Sequence, residues 1–171
     1  MTNDAIGPVV SSSHLAEGSF AEVSEFEFGL IIASNAFDRW VVRAMSAAGY
    51  PDLSALDVLV LHTVRHRGRS KKLADICLVL NVEDTHTVTY AIKKLTRAGL
   101  VQTGRSGKEK TVEATQAGAD ACDRYREIRE GLLISTVQDL GLEPDQVSKL
   151  AALLRLMSGQ YDQAARAATS L

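Results

Sequence analysis

The chain has 171 residues, 46% hydrophobic and 23% charged, the balance of an ordinary folded protein of one domain, or one domain with extensions. Aromatics are 5%, with 12 Gly and 3 Pro, which argues against a turn-rich β-sandwich or a low-complexity scaffold and favours helices. The net charge of −2 argues weakly against nucleic acid. Cys77 and Cys122 are too few for a disulfide framework and lack zinc spacing, so reduced thiols are expected. The sequence carries neither an apolar run of membrane-spanning length nor a basic segment followed by an apolar core at its start, so the expectation is a cytoplasmic protein without membrane contact.

Residues 1–22, with Gly7-Pro8, three consecutive serines and Gly18, read as a mobile arm. Ser24 and Glu27 fit a reciprocal capping box, opening a helix that runs to Ala48, where Gly49 and Pro51 stop it. Along it Phe26, Leu30, Ala33, Phe37, Trp40 and Ala44 make a seam for another helix, packed either within its own domain or on a partner subunit. Ser54 with Asp57 caps a second, strongly apolar helix ending at Gly68. Ser70 is the expected cap of a third, short helix with Leu73, Ile76, Cys77 and Leu80 inward. A fourth helix begins near Asp84, with Val88, Ala91, Ile92, Leu95 and Ala98 inward and Gly99 at its end. Val101–Thr103 and Thr111–Ala114 read as two short strands joined by a basic loop from Gly104 to Lys110. Thr115 caps a long helix to about Leu140, and Pro144 opens a last one.

The total charge conceals a segregation. Between His62 and Lys110 eleven cations face four anions, a net of +7, while the remaining eight cations and seventeen anions carry −9. A cationic centre points to an anionic partner. Three short helices followed by a hairpin make a winged helix, in which the last of the three helices enters the DNA major groove and the hairpin lies beside it. Such a helix needs an apolar stripe to anchor it and an outer face that reaches bases and phosphates. Thr85, His86, Thr87, Thr89, Tyr90, Lys93, Lys94 and Arg97 supply that face, although a cationic triplet of this kind is also what a solvated helix face carries. Arg105, Ser106, Lys108 and Lys110 belong to the hairpin, and Arg69, Ser70, Lys71 and Lys72 are placed to meet the DNA backbone. His62 and His66, four apart, lack a third ligand, so no metal is expected. No nucleophile triad, phosphate-binding glycine loop or paired carboxylate stands out, so neither an enzyme nor a cofactor is expected.

The stretch from Leu53 to Gly118, with LADICLVLNVEDTHTVTYAIKKLTRAGLV and then VEATQAG, resembles the winged-helix core of the MarR (multiple antibiotic resistance regulator) family of transcription factors. The resemblance implies a mainly α fold with a small β-hairpin: a mobile arm at 1–22, a dimerisation helix at 23–50, a winged-helix DNA-binding domain at 51–115 and C-terminal dimerisation helices at 116–171. It implies a homodimer that binds double-stranded DNA at pseudo-palindromic operators and a small-molecule effector pocket near Trp40, Arg43, His62 and Tyr125. Two departures mark a divergent branch. The loop between Asn81 and Thr87 is one residue longer than the usual family turn, and the hairpin lacks the family's Asp-x-Arg, leaving Arg105 or Lys108 as the minor-groove residue. The alternative function is a winged-helix module that binds protein and not DNA, which requires an apolar or acidic outer face on the fourth helix.

Overall fold

The computed structural model describes residues 20–107 and 109–171. The expected arm at 1–22 lies outside them except for its last three residues, of which Ala21 and Glu22 are already helical. The described chain forms two compact units, one ending at Arg126 and the other beginning at Glu127.

In the first unit, α1 spans Ala21–Ala47. It starts three residues before the expected Ser24 cap, because nothing between Phe20 and Ser24 breaks a helix once the Val23 amide has bonded to the Phe20 carbonyl at 3.1 Å. Gly49, at φ +102°, closes it as expected, and the Tyr50 amide reaches the Met45 carbonyl at 3.0 Å. Helix α2 (Ala55–Arg65) carries the expected capping box: the Ser54 amide donates to Asp57 Oδ2 at 2.8 Å, and the Asp57 amide to Ser54 Oγ at 3.3 Å. It is the centre of the unit and packs against α1 and the elements that follow, with Val58, Val60, Leu61 and Val64 buried.

Arg67 and Gly68, both left-handed, turn the chain back after α2. The turn is strapped by the Lys71 ammonium, which donates to the carbonyls of His66 (2.6 Å) and Arg69 (2.9 Å). Ser70 does not cap the next helix. The chain first forms a two-residue strand, β1 (Lys71–Lys72), and α3 (Leu73–Leu80) starts after it, with Asp75 Oδ2 accepting from the Lys72 amide at 3.4 Å. A strand of two residues has no period to read, and its pairing is set by the free edge of a later strand.

Asn81, left-handed, ends α3, and Asp84 caps α4 (Thr85–Arg97), its carboxylate accepting from the His86 amide at 2.9 Å. Strands β2 (Val101–Ser106) and β3 (Glu109–Ala114) pair antiparallel, and β1 adds to the other edge of β3. The hairpin is therefore longer than expected: Arg105, Ser106 and Lys110 are strand residues, not loop residues. Their polar composition hid them, since a projecting ribbon buries neither face and gives no alternation.

Helix α5 (Gln116–Arg129) is capped by Thr115, whose Oγ1 accepts from the Gly118 amide at 3.1 Å and donates to the Gly99 carbonyl at 2.7 Å. Arg124 of α5 donates to the Ala48 carbonyl at 3.0 Å and so satisfies the C-terminus of α1.

In the second unit the expected single helix to Leu140 is interrupted. A π-helical turn at Glu130–Ile134 precedes α6 (Ser135–Asp139). The Ser135 and Thr136 hydroxyls donate to the Gly131 and Leu132 carbonyls at 3.1 Å each, which satisfies carbonyls in the widened turn. Gly141 ends this segment, and α7 (Pro144–Ala168) follows with Pro144 at its first position, as expected. No residue of α7 is buried, and Val147, Leu150, Leu153, Leu154 and Leu156 are exposed. Among the described residues, no helix is long and apolar enough to cross a membrane.

Candidate nucleic-acid interface

The outward side of α4 is held in place by its inward side. Val88, Ala91, Ile92 and Leu95 are buried, and Thr85, His86, Thr87, Tyr90, Lys93 and Arg97 are exposed. Two threonine hydroxyls turn back onto the helix: Thr87 Oγ1 donates to the Asp84 carbonyl at 2.7 Å and Thr89 Oγ1 to the Thr85 carbonyl at 2.8 Å. Tyr90 is 66% exposed and lines an open cavity with Leu56, His86, Thr87 and Lys94.

Lys93 and Lys94, adjacent in sequence, have different fates. Lys93 projects outward with no ion pair among the described residues. Lys94 Nζ lies 2.8 Å from Asp57 Oδ2, and that carboxylate is only 4% exposed. The same oxygen accepts from the Ser54 amide, so one buried carboxylate ties the N-terminus of α2 to the last turn of α4. Local sequence marks Asp57 as a cap alone. Its second partner lies 37 positions away and has no local signal.

In the hairpin, Arg105 pairs directly with Lys110 and Ser106 with Glu109. Residues opposite each other in an antiparallel ladder share a face, so Arg105 and Lys110 place two like charges side by side, an unfavourable arrangement without a counter-anion. Neither has an ion pair among the described residues. Lys72 does: its ammonium bonds to Glu109, and this hydrogen bond, with the carboxylate charge, holds the Lys72 pKa above its ordinary value. Lys71 is pushed below its ordinary value by burial and by Arg69 and Arg67. Arg69 and Ser70 are exposed in the turn before β1, and Lys108 lies outside the described residues. Of the expected backbone-contacting group, Lys71 and Lys72 are thus engaged inside the fold.

The expected effector residues are brought together in part. The Tyr125 ring meets His62 edge-on at 4.6 Å between centroids and Trp40 at 6.4 Å, while Arg43 is exposed. Burial holds the His62 imidazole below its ordinary pKa, and its buried Nε2 has no hydrogen-bond partner among the described residues. His62 also lines a cavity of about 390 Å³ with Leu59, Thr63, His66, Lys71, Val79 and Leu80. Both cysteines are buried free thiols, and burial pushes Cys122 up to about 11, against the opposing pull of Arg65. Among the described residues, no three His, Cys, Asp or Glu are grouped to hold a metal ion.

Comparison with known proteins places these features. Residues 53–118 match the family model of a winged helix DNA-binding domain. No curated protein sequence matches the chain. Among solved structures, a cysteine-to-serine variant of MarR from E. coli complexed with operator DNA is 21% identical, with a TM-score of 0.63, over 82% of this chain and 99% of that one. BpsR of Bordetella bronchiseptica, a protein whose DNA binding is regulated by 6-hydroxynicotinic acid, is 25% identical, with a TM-score of 0.55, over 77% of this chain and 98% of that one. A MarR-family transcriptional regulator from Silicibacter pomeroyi is 19% identical, with a TM-score of 0.63, over 82% of this chain and 94% of that one. The matched domain accounts for α2 to the start of α5, the solved structures extend the likeness to most of the chain, and the chain holds a winged helix DNA-binding domain within the MarR-family fold.

Proposed function

We propose that the chain is a transcription regulator that binds operator DNA as a homodimer, with α4 in the major groove and the β2–β3 hairpin against the adjacent backbone. The observation that carries this reading is the cation set without acidic partners among the described residues: Lys93 and Arg97 on α4, and the facing Arg105 and Lys110 on the hairpin. A protein-binding winged helix calls for an apolar or acidic face there, and this one is basic and hydroxyl-rich. The dimer is supported by unpartnered apolar surface in each unit taken separately. In α1, Leu30, Ile31, Ile32 and Phe37 are exposed, and in α7 Leu150, Leu153, Leu154 and Leu156. A two-fold dimer presents two α4 helices to half-sites about one duplex turn apart, which makes the operator pseudo-palindromic. Ligand response is supported by the cavity beside His62, whose volume of about 390 Å³ suits a small molecule, although of the expected effector residues only His62 lines it.

The test replaces Lys93, Arg97, Arg105 and Lys110 together by Ala and measures retention of fluorescent duplexes by anisotropy across a salt series. The wild type is expected to bind with a steep salt dependence, and the variant to lose at least about 100-fold in affinity while melting normally. Sedimentation at micromolar concentration is expected to give a dimer for both. Undiminished DNA affinity in the variant overturns the interface, and a monomer overturns the dimer.

A further inference from the structure

The base-reading part of a groove-entering helix is its N-terminal portion. In α4 the first two turns read Thr85, His86, Thr87, Val88, Thr89, Tyr90, Ala91 and Ile92, and the first cation is Lys93. They hold no Arg, Lys, Asn or Gln, the residues that bind guanine or adenine edges with paired hydrogen bonds. Two of the three threonine hydroxyls are committed as donors, since Thr87 and the half-buried Thr89 spend their protons on the Asp84 and Thr85 carbonyls at 2.7 and 2.8 Å, and Thr85 alone is left with a single free hydroxyl. A threonine fixed in this way offers a base a methyl group and oxygen lone pairs. Guanine, with its N7 and O6 acceptors, finds no paired donors there, whereas thymine, with its C5-methyl, finds an apolar contact. His86 and Tyr90 supply single hydrogen bonds beside this surface.

We infer that the half-site is read chiefly through thymine C5-methyl groups, with Thr89 as the specificity-determining side chain and guanine edges contributing little. The inference rests on the placement of α4 in the major groove argued above. It assigns the two ends of the helix separate tasks: methyl recognition in the first two turns, and charge, through Lys93 and Arg97, in the last.

The experiment uses the full-length chain. Duplexes enriched from a random library are resynthesised with deoxyuridine replacing each half-site thymidine in turn, which removes one methyl and no hydrogen-bonding group. At least one replacement is expected to weaken wild-type binding about fourfold, the loss that corresponds to one buried methyl-sized group. In Thr89→Ser, which keeps the hydroxyl and drops the methyl, that penalty is expected to vanish. In Thr89→Val, which keeps methyl groups and drops the hydroxyl, it is expected to persist. Equal melting temperatures check that both variants fold. Uniform tolerance of deoxyuridine overturns the inference alone, as does a penalty that survives in Thr89→Ser and vanishes in Thr89→Val. If no duplex is enriched or retained even at about 50 mM salt, the DNA-binding reading falls with it.

Discussion

Lys93 and Lys94 provide the sharpest internal control on the interface. Replacing Lys94 by Met leaves the Asp57 carboxylate, 4% exposed, facing a lost partner at what was a 2.8 Å ion pair. An exposed pair contributes about 0.2–1 kcal/mol. Breaking a fully buried one costs about 3–5 kcal/mol. Lys94 is itself 33% exposed, so solvent relieves part of the penalty, and a cost of about 2 kcal/mol is expected. For a chain of this size that lowers the melting temperature by roughly 4–8 °C. Lys93→Met leaves no buried charge behind and is expected to melt within about 2 °C of the wild type.

The two variants should reverse order in DNA binding. Each lost phosphate contact reduces the slope of log affinity against log salt by about 0.9, so Lys93→Met is expected to flatten it by about 1.8 per dimer. Lys94→Met, assayed well below its melting temperature, is expected to keep the wild-type slope. Calorimetric melting and anisotropy titrations at several potassium chloride concentrations measure both quantities on the same preparations. If Lys94→Met flattens the slope as much as Lys93→Met and melts normally, the Asp57 pairing does not withdraw Lys94 from DNA and the assignment is wrong.

Gly118→Ala is expected to destabilise the chain by about 2 kcal/mol in urea unfolding, because a Cβ there would lie 2.0 Å from the Leu100 carbonyl oxygen, which is backbone and already accepts from the Thr115 amide. Gly159→Ala, in open space on α7, serves as control and is expected to stabilise by up to about 1 kcal/mol; equal midpoints for the two variants would refute the packing argument. Cys122, held up to about 11 by burial, is expected to alkylate at pH 8 far more slowly in the native chain than in urea. Because its folded pKa is raised, its contribution to stability is present below the ordinary thiol value of 9.0 and is lost as pH rises towards about 11, a loss that Cys122→Ala removes from the pH profile of the urea midpoint.

What was legible in the sequence was whatever a local rule writes. Ser54 with Asp57, Asp84, Thr115, Gly49, Gly99, Gly141 and Pro144 mark helix ends through hydrogen bonds or left-handed turns spanning a few residues, and these positions hold. The inner stripe of α4 was legible because 3.6-residue periodicity survives in an amphipathic helix packed on one side. Three features were hidden because their cause is remote or competing. Strand β1 exists because β3 offers it an edge nearly forty residues later. The Asp57–Lys94 bond joins two helices. The start of α1 at Ala21 reflects helix propagation past a good capping residue, a contest that local chemistry alone does not decide. At the candidate site, composition and spacing name the cations but not which of them the fold pairs internally, because those partners are remote in sequence.

Availability changes the meaning of the central positive charge. Of the net +7 between His62 and Lys110, Lys94 faces a buried carboxylate, Lys72 faces Glu109, and Lys71 is tied to two carbonyls of the preceding turn. These three cations build the winged helix: one fixes α4 to α2, one fixes the β1 edge to the hairpin, and one closes the turn after α2. Besides Arg67 and Arg69 in the turn after α2, Lys93, Arg97, Arg105 and Lys110 are left facing outward, two near the end of α4 and two opposed across the hairpin. An opposed pair of cations weakens a ladder in isolation, and a hairpin under selection for stability alone would place a carboxylate at one of the two positions, as it does for Lys72 with Glu109. The arrangement becomes favourable when a polyanion lies along that face, where each cation displaces counterions from phosphate. The like-charged pair therefore carries more information about function than the net charge, which was small only because acidic helices elsewhere cancel it.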